Sequence, residues 1–361
     1  MALLAVVVLT ISGRYGVQES SLRSGELNSG SGPGLRQVVV NEQLFKEHPV
    51  IYGGINVDKV YELDLNSRTF TADGSFWLEW PTSVEQMMEL NHTRPIDLVV
   101  LQNRIETWDS TFDVSNPEPT ELSSGRRYQL YHFSSRFYDD TISFKRDPFD
   151  LLSLPIVVEL KQPYMSQKYA DVRLLPQPRA GSLVDNALSL SGYELKDVSL
   201  KGYVKSRLSR FGMWYSPSYA QLRLEMIFQS NIWPGLVNWI LPLMIINSIA
   251  LMAPSVEGSL ADVRLAIPST ALLTLIFLQQ SYHSSLPRLS YTTFLDDLFS
   301  CSYLISMGLF ALFTWGHNTY SSATDDKKEQ AMKVINKADL LFQVSSALLL
   351  VVVATFSWTV R

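Results

Sequence analysis

The chain has 361 residues, of which 18% are charged, 46% hydrophobic and 11% aromatic, and its formal net charge is −5. A soluble domain averages about 25% charged residues and a nucleic-acid binder carries a basic excess. No nucleic-acid partner is therefore expected, and the aromatic content excludes a disordered chain. Cys301 is the single cysteine, which excludes a disulfide framework within the chain.

Residues 1–36 read as a leader and a linker. Ala2–Ile11 is an apolar run followed by Ser12-Gly13. It is too short to span a bilayer and is similar to the core of a signal peptide; a buried N-terminal strand is the alternative. The stretch SGELNSGSGPG, within residues 19–36, reads as a flexible linker.

Residues 37–230 read as β-structure. Ala220, Leu222, Leu224 and Met226 alternate with Gln221, Arg223 and Glu225, and Phe76, Leu78 and Trp80 alternate with Trp77 and Glu79, the period of a strand. Asp73-Gly74, Asn116-Pro117 and Gly125 are turn signals, and a short helix is expected near Ser83–Leu90. Many short strands over this length suggest a β-sandwich.

Residues 231–361 hold only 7 of the 30 Lys+Arg and 8 of the 35 Asp+Glu. Four runs without Asp, Glu, Lys or Arg account for this: Ile232–Ala253, Leu265–Pro287, Leu298–Gly316 and Leu340–Val360. Each approaches the ~20 residues of a membrane-crossing helix, and none shows the charged outer face of a soluble bundle helix. The expected helices cover residues 232–253, 262–286, 292–316 and 336–360. The second is unusual. Ala266, Thr270, Leu273, Phe277, Gln280 and Ser284 fall on one stripe at helical spacing, which fits a water-facing surface; hydrogen bonding between helices is the alternative. Pro268 inside this helix predicts a kink, local unwinding or a later start. No nucleophile elbow, zinc-protease, P-loop or Cys-x-x-Cys motif occurs, and the five histidines lack metal-ligand spacing. The chain is not expected to be an enzyme, and no cofactor or metal is expected. His283 alone is a candidate pH sensor, because imidazole is the side chain type whose charge changes in the physiological range.

Four segments carry a resemblance. FSSRFYDDTISFKRDPFD (133–150), ending in Asp147-Pro148-Phe149-Asp150, resembles the signature loop of the pentameric ligand-gated ion channels, the Cys-loop receptor superfamily. SLPRLSYTTFLDDLF (285–299) is similar to the link between the second and third membrane helices of bacterial members. NIWPGLVNWILPLMII (231–246), including Pro242, resembles the start of the first membrane helix. VYELDLNSRTFTADGSFWLEW (60–80) resembles the first two strands. The eukaryotic loop is closed by two cysteines, which are absent here, so the resemblance is to the prokaryotic type. It implies an extracellular sandwich of about ten strands, a transmembrane four-helix bundle and a homopentamer whose second helices line a pore. It implies an inner (plasma) membrane location with the N-terminal domain extracellular or periplasmic. The implied function is a ligand-gated, cation-selective channel for monovalent cations, opened by a small-molecule agonist; a non-conducting receptor of the same fold is the alternative.

The resemblance also implies roles for residues. Asp262 would form an acidic ring at the cytoplasmic mouth, with Ala266, Thr270, Gln280 and Ser284 lining the pore and Arg264 pointing away from it. Leu273 and Phe277 would form the gate. Tyr164, Phe211, Trp214 and Tyr215 are the candidate ligand-binding aromatics. Lys161-Gln162 stand where related channels carry a carboxylate for an amine, so the agonist's charge is left open. Asp64, Arg68, Asp150, Arg223 and Arg288 are the candidate coupling residues, with Arg223 expected to face Asp150.

Overall fold

The computed structural model describes residues 35–38, 49–105, 110–161, 172–178, 181–206, 218–256 and 260–360. They form two compact units. One is built of sheet, within Gly25–Ile142 and Leu151–Ser230; the other is helical, within Asn231–Arg361, and includes the loop Ser143–Asp150.

Twelve strands are described in the sheet unit: β1 (Leu35–Gln37), β2 (Val50–Asp64), β3 (Thr69–Trp80), β4 (Val99–Leu101), β5 (Arg104–Ile105), β6 (Thr111–Val114), β7 (Thr120–Glu121), β8 (Arg127–Tyr138), β9 (Leu151–Leu160), β10 (Arg173–Pro176), β11 (Tyr193–Ser206) and β12 (Ser218–Ser230). The first sheet has the order β1-β11-β12-β9-β4. The second has the order β10-β2-β3-β8-β5, with β6 and β7 also on β8. β10 runs parallel to β2, and the other pairings are antiparallel. The short helix α1 spans Thr82–Leu90 and buries Val84, Met87 and Met88.

The period-two patterns reach the core as expected. Leu222, Leu224, Met226 and Phe228 are fully buried, as are Phe76 and Leu78. The two sheets meet at these faces: a Cβ on Gly53 of β2 would lie 2.9 Å from Leu222 of β12. The opposite face of β12 is covered too. Gln221 and Glu225 are buried, Gln221 donates to Glu159, and Glu225 accepts from Arg223 at 2.8 Å.

Two local expectations are corrected. Asp73-Gly74 is no turn; it lies inside β3. The backbone of β2 crosses there so closely that a Cβ on Gly74 would sit 2.3 Å from the carbonyl of Asn56, and the β2–β3 register shifts nearby, between Val57 and Lys59. The real turn follows Asp64, whose carboxylate accepts from the amides of Asn66 and Ser67, and it ends on Arg68 at φ 56. Leu35 and Arg36, at the end of the segment read as linker, are strand and pair with Lys205 and Val204. The leader read over Ala2–Ile11 lies outside the described residues.

The helical unit has four helices long and apolar enough to cross a membrane: α2 (Ile232–Ser255), α3 (Asp262–Ser284), α4 (Phe294–Ser321) and α5 (Lys328–Val360). α2 passes through a π-helical turn at Leu236–Ile240, just before Pro242, whose missing N–H leaves the carbonyl of Asn238 without its α-helical partner. α5 begins eight residues before the expected start at 336. Its first turns, KEQAMKVINKAD, are good helix formers and carry a Glu329–Lys333 pair at 2.8 Å. The connector left by the expected spans, residues 317–335, therefore shrinks to residues 322–327.

Two cores hold the helices together. One gathers Phe149, Ile240, Leu243, Leu275, Tyr282, Phe294, Phe299 and Trp358. The other gathers Ala250, Ala271, Ile305, Leu309, Phe313 and Leu350. Outside them, α2 exposes Val237, Leu241, Ile245 and Ile249, and α5 exposes Leu341, Val344, Leu348, Val352 and Phe356. Apolar stripes of this length are stable where lipid or another apolar surface covers them.

Candidate functional site

α3 divides into two faces. Asp262, Ala266, Thr270, Leu273, Phe277, Gln280 and Ser284 are all exposed in the single chain, with Leu273 at 54% and Phe277 at 65%. The opposite face is closed: Arg264, Ala271, Leu275 and Tyr282 are buried. Pro268 is buried as well. α3 is continuous from its first turn through Pro268 to Ser284, so neither a late start nor a local unwinding is found. Several polar side chains satisfy themselves within the helix; Ser269 donates to the carbonyl of Leu265 and Thr274 to that of Thr270. Gln279, off the stripe, bonds between helices: it donates to Asp296 at 3.3 Å and accepts from the hydroxyl of Tyr303 at 2.5 Å.

At its base, α3 is fixed by a pair that composition alone did not reveal. The guanidinium of Arg264 donates to Asp339 of α5 and lies 4.2 Å from the ring centre of Phe313 on α4. Both charged residues are only 4% exposed. Arg264 thus turns away from the stripe that holds Asp262.

At the other end of α3, a hydrogen-bonded chain joins the helix to the start of α4. The Asp147 carboxyl lies near enough to the Tyr282 side chain for its titration to be lowered by it. Tyr282 donates to the Thr293 hydroxyl at 2.9 Å, and Thr293 forms a reciprocal cap with Asp296 at the start of α4. Asp296 Oδ1 also meets His283 Nε2 at 2.6 Å. His283, singled out as a pH-sensing residue, therefore has a carboxylate partner one helix away. The loop Ser143–Asp150 packs into the same cluster. Phe149 is buried edge-on to Trp358 at 5.9 Å. The amide of Phe144 donates to the Tyr291 hydroxyl at 3.0 Å, and the amide of Phe294 to the carbonyl of Lys145 at 2.9 Å. Gly235 makes room for the loop, since a Cβ there would lie 2.5 Å from Pro148. Burial pushes the Asp147 carboxyl up to about 6, against the lowering effect of the nearby Tyr282. Burial pushes Asp150 up to about 7, aided by the charge of Asp147 and opposed by the Arg146 amide, which donates to it at 2.9 Å.

The remaining coupling candidates are Asp64, Arg68, Arg223 and Arg288. In the sheet unit, Asp64 caps its own turn, and the Ser67 hydroxyl and amide hold its carboxyl below the usual carboxylate range. Arg68 donates to the carbonyl of Asp140 at 2.9 Å. Arg223 pairs with Glu225. In the helical unit, Arg288 is exposed. The four ligand-binding candidates, Tyr164, Phe211, Trp214 and Tyr215, lie outside the described residues. No group of three or more His, Cys, Asp or Glu suited to a metal ion occurs among the described residues.

The sequence reading missed Asp296, Asp339 and Tyr282. Only Asp296 had a local signal, the Thr293-x-x-Asp296 capping pattern before an apolar run. No protein-family model matches the chain, and a search of the curated proteins finds no match.

Proposed function

We propose that this protein is the subunit of a homopentameric ligand-gated ion channel of the prokaryotic Cys-loop type, with α3 lining a central cation pathway. The observation that carries this reading is the exposed stripe of α3. It is long enough to cross a membrane, yet it presents Asp262, Thr270, Gln280 and Ser284 on one uncovered face. Lipid does not solvate such a face, whereas water in a lumen does. One helix cannot enclose water, so several copies must share the lumen. Asp262 would then form a ring of carboxylates that attracts cations, and Leu273 and Phe277 would form apolar collars that dewet the closed pore. In this reading the sheet unit is the ligand-binding domain, on the periplasmic side of a bacterial inner membrane.

The decisive experiment is reconstitution of the purified protein in a planar bilayer, with a compound screen and asymmetric NaCl. Agonist-dependent currents that reverse near the sodium potential are expected. Reversal at the chloride potential would reject the cation pathway. Specific ligand binding without any current would leave a non-conducting receptor of the same fold.

A further inference from the structure

A cavity of about 540 Å³ lies wholly within the sheet unit, between the β4–β5 connection, the end of β8 and the outward face of β9 and β12. Its volume falls in the range of roughly 300–1,000 Å³ typical of small-molecule sites. Three cations, Arg104, Lys205 and Arg223, border it, against two carboxylates, Asp139 and Asp140.

Most of the polar wall is already engaged. Asp139 is buried, and both of its oxygens accept from Thr141, whose amide approaches at 3.0 Å and whose hydroxyl at 2.8 and 2.9 Å. Asn103 donates to the carbonyls of Tyr138 and Pro155 and accepts from the amide of Val157. Gln221 donates to Glu159, and Arg223 Nε donates to Glu225. Among the described residues, two guanidinium nitrogens on this wall stay buried with no hydrogen-bond partner: Arg104 Nε and Arg223 Nη2. A buried N–H without an acceptor is unfavourable, and one to a charged acceptor is among the stronger bonds a protein makes.

We propose that this cavity binds a small organic carboxylate. The two free N–H donors, Arg104 Nε and Arg223 Nη2, belong to planar guanidinium groups that match a carboxylate. Three cations stand against two carboxylates on the wall, and Glu225 behind it takes up one of the three through Arg223, so the free donors suit a monoanion and the near-neutral balance disfavours a polyphosphate. Tyr138, Pro155 and Val157, also on the wall, offer apolar contact for a short body behind the carboxylate. The site includes none of the four candidate agonist aromatics and does not depend on the channel reading.

The test is isothermal titration of the purified full chain in detergent with benzoate, benzyl alcohol, benzylamine and sulfate. Saturable benzoate binding is expected, at least about tenfold tighter than the other three probes. Arg104→Gln is expected to weaken benzoate by about tenfold or more while leaving the thermal midpoint of the unliganded protein unchanged, because Arg104 sits half-buried on a two-residue strand. Lys205→Gln serves the same purpose should Arg104→Gln not fold. The proposal is overturned by no benzoate binding, or by benzoate binding indifferent to both substitutions. It is equally overturned if sulfate matches benzoate, which marks a general cationic patch, or if benzyl alcohol does, which marks an apolar hollow.

Discussion

The buried pair at the base of α3 makes a quantitative prediction. Asp339→Leu would leave the Arg264 guanidinium 4% exposed with only the face of Phe313, 4.2 Å away, to offset its lost hydration. A desolvated cation–π contact supplies on the order of 2 kcal/mol, whereas removing one partner of a buried ion pair costs about 3–5 kcal/mol. Arg264→Met strands the Asp339 carboxylate and is expected to cost a similar amount. The double substitution removes both charges and restores an apolar interior, so it should be nearly neutral or stabilising by roughly 1–4 kcal/mol. Thermal unfolding in detergent, followed by tryptophan fluorescence, reads the four corners of the cycle. Each single substitution should lower the midpoint by about 10 °C, and the double should recover most of that loss. Two single effects below about 1 kcal/mol, or a double equal to their sum, would refute the reasoning, because uncoupled groups add.

Three further outcomes are expected. Leu273→Ser and Phe277→Ser should each raise agonist-free current or agonist sensitivity in reconstituted bilayers, since a polar collar holds water where an apolar one expels it; unchanged gating in both rejects the gate. Asp262→Asn should shift the reversal potential in asymmetric NaCl away from the sodium value, and an unmoved potential removes the acidic ring. Stability of the folded protein should fall as pH rises through about 6–7. The raised carboxyls of Asp147 and Asp150 hold protons in the folded chain that an ordinary aspartate has already lost, so the folded state binds more protons between about pH 4 and 7. Asp147→Asn should flatten that slope in a thermal-midpoint series from pH 5 to 8, and an unchanged slope sets the carboxyl aside.

The division into a sheet region and four membrane-capable helices was legible without coordinates because its causes are local. A strand shows its period within a few residues, as Ala220–Phe228 does, and a membrane helix is an uninterrupted apolar run. The exposed stripe of α3 was legible for the same reason, since helical spacing fixes which residues share a face. The short helix near Ser83 and the alternation of Phe76, Leu78 and Trp80 followed the same rule.

What lay beyond the sequence depends on partners distant along the chain. Gly74 read as half of a turn because Asp-Gly commonly makes one. The crossing backbone of β2 decided otherwise, leaving room there only for a residue without a side chain. Arg264 was assigned its direction from spacing, but its partner sits 75 residues away on α5, and nothing near Asp339 announces that it will be buried. Asp147 was quoted as part of a motif, yet its raised carboxyl arises from burial by segments distant along the chain, against the lowering effect of Tyr282. Local pattern settles which residues are strand, helix or membrane-facing, because those preferences act over one or two turns. Which charges are buried together, and with what partners, is settled only when the folded chain excludes water between segments far apart in sequence.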